Sequence, residues 1–173
     1  MKNGLLAIVI ILAGISTSMA AESRVAELFA VDEATRCPVC GMFVHKYPQW
    51  LTQVRLSDGT VAAFDGVKDM LAYLFEPQRY GAAAGSVVEE VVVKDYYSLE
   101  WIDGRHAFYV VGSDILGPMG HELIPFAERA AADNFLADHH GREIVPFAAI
   151  SREMIDSLRQ GSQMRHHGKK GQH

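Results

Sequence analysis

The sequence predicts an α+β fold made of two similar ββαβ units packed as a pair. Residues 50–56 alternate between apolar and polar side chains, a turn signal (SDGT) follows at 57–60, and residues 61–64 form the return strand of a hairpin. A helical pattern and a valine-rich segment typical of a buried strand come next. The same order of patterns occurs again between residues 106 and 145, which indicates an internal repeat.

The helix of the first unit begins at Asp65-Gly66 and ends at Glu76-Pro77, because proline cannot continue a helix. Its apolar residues recur at helical spacing on one face: Val67, Met70, Leu71, Leu74 and Phe75. A loose linker (GAAAGS, 81–86) leads to a predicted strand over 87–97.

The second unit follows the same plan. Its predicted parts are a strand over 106–112, a loop containing GPMG at 117–120, a strand over 123–126, a helix over about 127–137 stopped by Gly141, and a last strand over 142–145. The segments VAAFDGVKDMLAYL and LIPFAERAAADNFL align, with a phenylalanine at the end of the strand in both. The repeat therefore extends to the junction of strand and helix.

The N-terminus has the pattern of a secretory signal peptide over residues 1–20. Lys2 gives a positive start, residues 5–12 are apolar, and Ser18-Met19-Ala20 is a small-x-small cleavage site. The apolar stretch is short for a membrane span. No cysteine lies near the cleavage point, so we predict no lipid anchor and a periplasmic location.

The composition changes suggest further boundaries along the chain. We expect an amphipathic lead-in over 21–36, the first unit over 37–98, the second over 99–158, and a disordered polar tail over 159–173.

The net charge of −5 argues against nucleic acid and an anionic membrane surface as partners. The sequence lacks a nucleophile–His–acid set, a phosphate loop and a nucleotide fingerprint, so no enzyme is predicted from these motifs.

The segment CPVCGM at 37–42 is the most informative part of the chain, since it contains both cysteines and a methionine. Soft sulfur ligands select Cu(I) over hard cations, and Gly41 permits a tight turn that lets Cys40 and Met42 face one ion. Such a pair needs a further ligand from elsewhere. Structural zinc is disfavoured because it wants four Cys or His ligands, and a Cys37–Cys40 disulfide would close too short a loop to stabilise the fold.

The same CPVC segment supports an alternative, a periplasmic thiol–disulfide oxidoreductase. That chemistry places the first cysteine at the N-terminus of a helix, after a strand. The residues that follow Cys40 indicate a loop and then a strand, which disfavours this alternative.

Other residues are candidates to complete a metal site. Met119 lies in a loop bounded by glycines, and His45 and His121 lie near the two methionines, although a methionine is more often a core residue. Asp65 and Asp114 stand at turn or helix-cap positions, and capping accounts for both. The tail histidines can collect metal loosely: His166, His167 and His173.

Three segments in order resemble the NosL family of nitrous oxide reductase accessory proteins: CPVCGMFVHKYPQW, FDGVKDMLAYL and KDYYSLEWIDGRHAFYVVGSDILGPMGHELIPF. The resemblance covers about residues 33–150. It implies two ββαβ units and an exported protein that binds Cu(I) and supplies it to nitrous oxide reductase, the copper enzyme of denitrification.

Residue by residue, the resemblance implies that Cys40, Met42 and Met119 bind Cu(I). Many members have a single cysteine here, so Cys37 is left as a ligand, a disulfide partner or an idle thiol. Many are also lipoproteins, whereas this sequence lacks the lipid-accepting cysteine. We expect a metallochaperone rather than an enzyme, whose partners are a copper enzyme client and a membrane transporter assembly. A scaffold that docks onto such an assembly, with incidental copper binding, is a third alternative.

Overall fold

The computed structural model describes the backbone of residues 31–168 and the side chains of residues 31–161. The predicted signal peptide and residues 21–30 of the predicted lead-in lie outside the described residues. None of the described helices is long and apolar enough to cross a membrane.

The first sheet contains four antiparallel strands. Strands β1 (Thr52–Leu56) and β2 (Val61–Phe64) form the predicted hairpin, with Thr52 opposite Phe64. Helix α1 (Val67–Phe75) follows, and then strands β3 (Val88–Lys94) and β4 (Trp101–Asp103). The order across the sheet is β2-β1-β3-β4.

The second sheet repeats this plan with three strands. Strands β5 (Phe108–Gly117) and β6 (Gly120–Phe126) form a hairpin, helix α2 (Arg129–Asp138) follows, and strand β7 (Glu143–Pro146) pairs with β5. The order β6-β5-β7 matches β2-β1-β3 of the first sheet. The α+β fold of two similar ββαβ units is therefore confirmed.

One strand and one α-helix of the described residues were not predicted from the sequence. Strand β4 extends the first sheet, and helix α3 (Arg152–Gly168) follows a short 3-10 turn after β7. Helix α3 runs across the boundary predicted at 158. The physical reason is a narrow apolar stripe that packs on the core: Met154, Ile155 and Leu158.

Two apolar clusters form the interior. The larger one packs β1, β2, β3 and α1 against Tyr109 of β5 and also encloses Cys37 and Val44. The smaller one lies around Phe126 and Phe135, which contact Tyr96 edge to face. Because Cys37 belongs to the larger cluster, the cysteine segment is anchored to this core.

Candidate metal centre

The cysteine segment forms a closed loop between Arg36 and Phe43, which pair as an isolated antiparallel bridge. Inside it, the Cys37 N–H donates to the Met42 carbonyl at 2.9 Å, and the Gly41 N–H donates to the Cys37 carbonyl at 2.8 Å. Gly41 has φ +79°, the left-handed region that favours glycine. The turn therefore depends on Gly41, as the sequence indicated.

The Arg36 side chain fastens the loop from outside. Its Nη1 donates to the Gly41 carbonyl at 2.8 Å, and its guanidinium lies 3.7 Å from the centroid of the Phe43 ring. A planar cation suits both contacts, since it can stack and donate at once. The positions of Cys37 and Cys40 are thus set by local contacts on both sides of the turn.

Four ligand atoms meet where this loop packs on the start of α1. They come from Cys37, Cys40, Asp65 and Asp69, and all lie within 4.8 Å of one another. Cys40 Sγ donates to Asp65 Oδ1 at 3.1 Å, and Cys37 Sγ donates to Asp69 Oδ2 at 3.7 Å. Each thiol therefore faces one carboxylate, and we call these four residues the thiol–carboxylate cluster.

The cluster is largely closed to water on one side. Cys37 is 1% exposed and Asp65 is 2% exposed, whereas Cys40 is partly exposed. The second carboxylate oxygen of Asp65, Oδ2, is buried and has no hydrogen-bond partner among the described residues. A buried acceptor without a partner is costly, and a cation bound at the cluster would supply one. The donor set thus fits a metal ion, entering from the side of Cys40.

The surroundings of Cys40 favour its protonated thiol. The hydrogen bond with Cys37 and then burial raise the pKa of the Cys40 thiol well above its usual range. Burial also raises the pKa of Asp69, an effect that Cys40, Lys68 and Arg159 oppose. Arg159 Nε of α3 lies 4.0 Å from Asp69 Oδ1. A metal ion therefore has to displace the thiol proton when it binds.

Asp65 is not a helix cap, contrary to the prediction from the sequence. The N-cap of α1 is Gly66, which has no side-chain cap hydrogen bond. Instead, Glu122 of β6 accepts from the Lys68 N–H at 2.6 Å and so satisfies a free donor at the start of α1. The Asp65 side chain is left to face Cys40. Asp69 was missed, although its four-residue spacing from Asp65 places both on one side of the helix start.

Met119 lies at the tip of the β5–β6 hairpin, which contacts the same helix. The Lys68 ammonium donates to the carbonyls of Met119 and His121, at 2.8 Å each. Met42 is partly buried in the cysteine loop. The structure thus brings both predicted cysteines into one cluster, while the ligand roles of Met42 and Met119 stay predictions.

The thiol–carboxylate cluster does not include the other candidates His45 and Asp114. His45 Nδ1 is buried without a hydrogen-bond partner among the described residues, and Asp114 pairs with His139 at 3.2 Å. The side chains of the tail histidines lie outside the described residues. No α-helix begins at the cysteines: in the described part of the chain the first one begins at Val67. The helix N-terminus that a thiol–disulfide active site needs is therefore absent there.

The chain is similar in sequence to proteins of one known family. The family model described as NosL matches residues 28–155. The copper-binding lipoprotein NosL of Stutzerimonas stutzeri is 29% identical over 150 residues, which cover 82% of this chain and 74% of that protein.

Two solved structures are also similar to the chain. The crystal structure of the copper chaperone NosL from Shewanella denitrificans has a TM-score of 0.61 and 25% identity, over 72% of this chain and 95% of that one. The solution structure of the apo-NosL protein from Achromobacter cycloclastes has a TM-score of 0.45 and 28% identity, over 60% and 87% of the two chains. The first of these likenesses supports the α+β fold described above.

Proposed function

The chain belongs to the NosL family, and we propose that it is a periplasmic metallochaperone that binds one Cu(I) and supplies it for the maturation of nitrous oxide reductase. Two relatives are named as copper-binding or copper chaperone proteins. The observation that supports the proposal in this chain is that the thiols of Cys37 and Cys40 converge in one cluster, with the Cys40 thiol partly exposed.

Cys40 is the anchoring ligand in this proposal. Its thiol is partly exposed and so is accessible to an incoming ion, whereas Cys37 is 1% exposed and lies behind it against Asp69. Met42, two residues further on, and Met119 of the facing hairpin supply neutral thioethers. Thioethers suit Cu(I) and need no deprotonation, so they add no charge beside the two carboxylates. Cys37, buried behind Cys40, lies beside this set and is dispensable for most of the affinity.

A cargo site needs to release its ion as well as hold it. Met119 comes from a different segment of the chain than Cys40, so a partner that displaces the hairpin tip would remove one ligand and leave the others in place. Thioether ligation is weaker than thiolate ligation for most metals, which suits exchange. The client enzyme would then take the ion through its own ligands.

The direct test is anaerobic titration of the reduced mature protein with Cu(I) against a competing chromophoric chelator. We expect one tightly bound Cu(I), lost in Cys40→Ser, weakened in Met42→Ala and Met119→Ala, and largely retained in Cys37→Ser. Met164→Ala, on α3 outside the proposed ligand set, is the matched control. Unchanged affinity in both Cys40→Ser and Met119→Ala would overturn the ligand assignment.

Two further measurements separate the alternatives. Cu(I)-loaded protein should restore activity to copper-free nitrous oxide reductase better than the same concentration of buffered Cu(I), and equal restoration would reject that client. Turnover of a test disulfide that disappears in Cys37→Ser would favour the oxidoreductase. Metal-independent capture of a transporter assembly would favour the scaffold.

A further inference from the structure

Lys68 is a buried lysine that is not one of the proposed copper ligands. It lies on the first turn of α1, next to Asp69, and is 1% exposed. A buried ammonium is costly unless its donors are satisfied. Here it donates to two backbone carbonyls of the facing hairpin, those of Met119 and His121, at 2.8 Å each. The lysine therefore ties the metal-site helix to the tip of the β5–β6 hairpin.

The backbone of the same residue makes a second connection to the same strand. The Lys68 N–H donates to Glu122 Oε1 at 2.6 Å, and the Leu123 N–H donates to that oxygen at 3.0 Å. One residue of α1 thus contacts three residues of the β5–β6 hairpin: Met119, just before β6, and His121 and Glu122 within it. Such a set of bonds fixes both the distance and the rotation of the hairpin relative to the helix.

Helix α1 and the β5–β6 hairpin also pack so closely around Glu122 that they cannot shift relative to each other. A Cβ added at Gly66 would overlap Glu122 Oε2, and a Cβ added at Gly117 would lie 3.2 Å from Glu122 Cγ. Glycine on both sides therefore permits Glu122 to sit between helix and hairpin. Together with this close packing, the hydrogen bonds of Lys68 hold helix α1 and the β5–β6 hairpin in one arrangement.

We propose that Lys68 is a positioning residue for metal capture, which holds the Met119 hairpin at the distance from Cys40 that a single Cu(I) requires. This inference rests on the proposed function, since it assumes that Met119 is a ligand. Lys68 touches no metal in this role and acts only through the backbone of the hairpin. Residues that orient ligands typically change metal affinity by about 10- to 100-fold when they are mutated.

A double-mutant cycle in the full-length mature protein tests the proposal. Anaerobic Cu(I) competition would be measured for wild type, Lys68→Leu, Met119→Ala and the double variant. We expect Lys68→Leu to weaken Cu(I) binding about 10- to 100-fold, and to have little further effect once Met119 is absent. X-ray absorption should show one sulfur fewer around copper in Lys68→Leu. The variant Lys68→Arg, which keeps the charge and the donors, should regain most of the affinity.

The outcomes are distinguishable. Equal losses from Lys68→Leu in both backgrounds, or no loss at all while Met119→Ala weakens binding, would overturn this inference and leave the proposed function intact. No effect of Met119→Ala would overturn the Met119 assignment and this inference with it. If Lys68→Leu does not fold, Gly117→Ala presses on Glu122 from the hairpin side and must weaken binding through Met119 in the same cycle.

Discussion

Cys40 Sγ lies 3.1 Å from Asp65 Oδ1, although the two residues are 25 positions apart in the chain. The neighbouring pair, Cys37 and Asp69, repeats the arrangement at 3.7 Å. The helix start thus presents two carboxylates to the two thiols of a closed loop. Four acidic groups in one small volume favour a state in which a proton or a cation is bound.

Gly41 should be required for binding as well as for stability. Gly41→Ala meets no steric clash, but φ +79° is strained for alanine and costs about 1–2 kcal/mol. Relief of that strain would turn Cys40 away from the cluster and weaken Cu(I) binding several-fold. Gly59→Ala is the matched control, because its φ is +84°, its surroundings are equally open, and it lies in the β1–β2 turn. Equal Cu(I) affinity in the two variants would contradict this prediction.

Gly66 should tolerate no side chain. Its added Cβ would overlap Glu122 Oε2, so Gly66→Ala should lower the free energy of unfolding by about 1–3 kcal/mol in urea titrations. Gly161→Ala on α3 is the control, because its Cβ meets nothing within 4 Å and alanine favours a helix. A loss in Gly161→Ala as large as that in Gly66→Ala would show that close packing is not the cause.

Stability should fall as the pH rises through the titration range of Glu122. Burial raises the pKa of Glu122 from 4.5 to about 8, although Lys68 and two backbone N–H donors oppose it. An acid with a raised pKa in the folded state stabilises the protein below its unfolded pKa and loses that contribution as the pH passes the folded value. The free energy of unfolding should therefore decrease between about pH 4.5 and pH 8.

Glu122→Gln isolates that contribution. The amide oxygen still accepts from the Lys68 and Leu123 N–H groups, so the variant should match wild type near pH 4 and exceed its stability near pH 8. The difference should reach a few kcal/mol, since one pKa unit corresponds to about 1.4 kcal/mol. The exposed Glu89→Gln should leave the pH profile unchanged. If the free energy of unfolding changed with pH in parallel for wild type and Glu122→Gln, Glu122 would not be the group responsible for the pH dependence.

Cu(I) itself should stabilise the fold. A ligand that binds only the folded state raises the free energy of unfolding by about 2.7 kcal/mol when its free concentration is 100 times Kd. We expect buffered Cu(I) to raise the urea midpoint of the wild type and of Met164→Ala under anaerobic conditions, but not that of Cys40→Ser. A rise in Cys40→Ser as large as in wild type would place the ion elsewhere.

Local sequence patterns predicted the elements with strong periodicity. The hairpin of β1 and β2 and the helix α1 have clear apolar alternation or helical spacing, and the structure agrees with them. Strand β4 has three residues, which is too short for a period to show, and the apolar stripe of α3 is diluted by polar residues. Such elements form because the rest of the fold offers them a surface to pack on.

The thiol–carboxylate cluster was predictable only in part for the same reason. Two thiols in six residues are a local signal, so Cys37 and Cys40 could be found from their spacing. Carboxylates at a helix start are common for electrostatic reasons, which made Asp65 look like a cap and left Asp69 unremarked. Their role depends on how the cysteine loop packs on α1. The contacts of Lys68 with Met119 depend on the packing of one unit against the other.

The unequal exposure of the two cysteines allows local opening of the fold to be measured by thiol labelling. In Cys40→Ser the sole thiol is Cys37, which is 1% exposed in the closed loop. An alkylating reagent can reach it only while the loop between Arg36 and Phe43 is detached from the core. When closing is fast, the labelling rate divided by that of a free thiol gives the population of the detached state. The buried thiol of Cys37 can therefore report how often the thiol–carboxylate cluster comes apart.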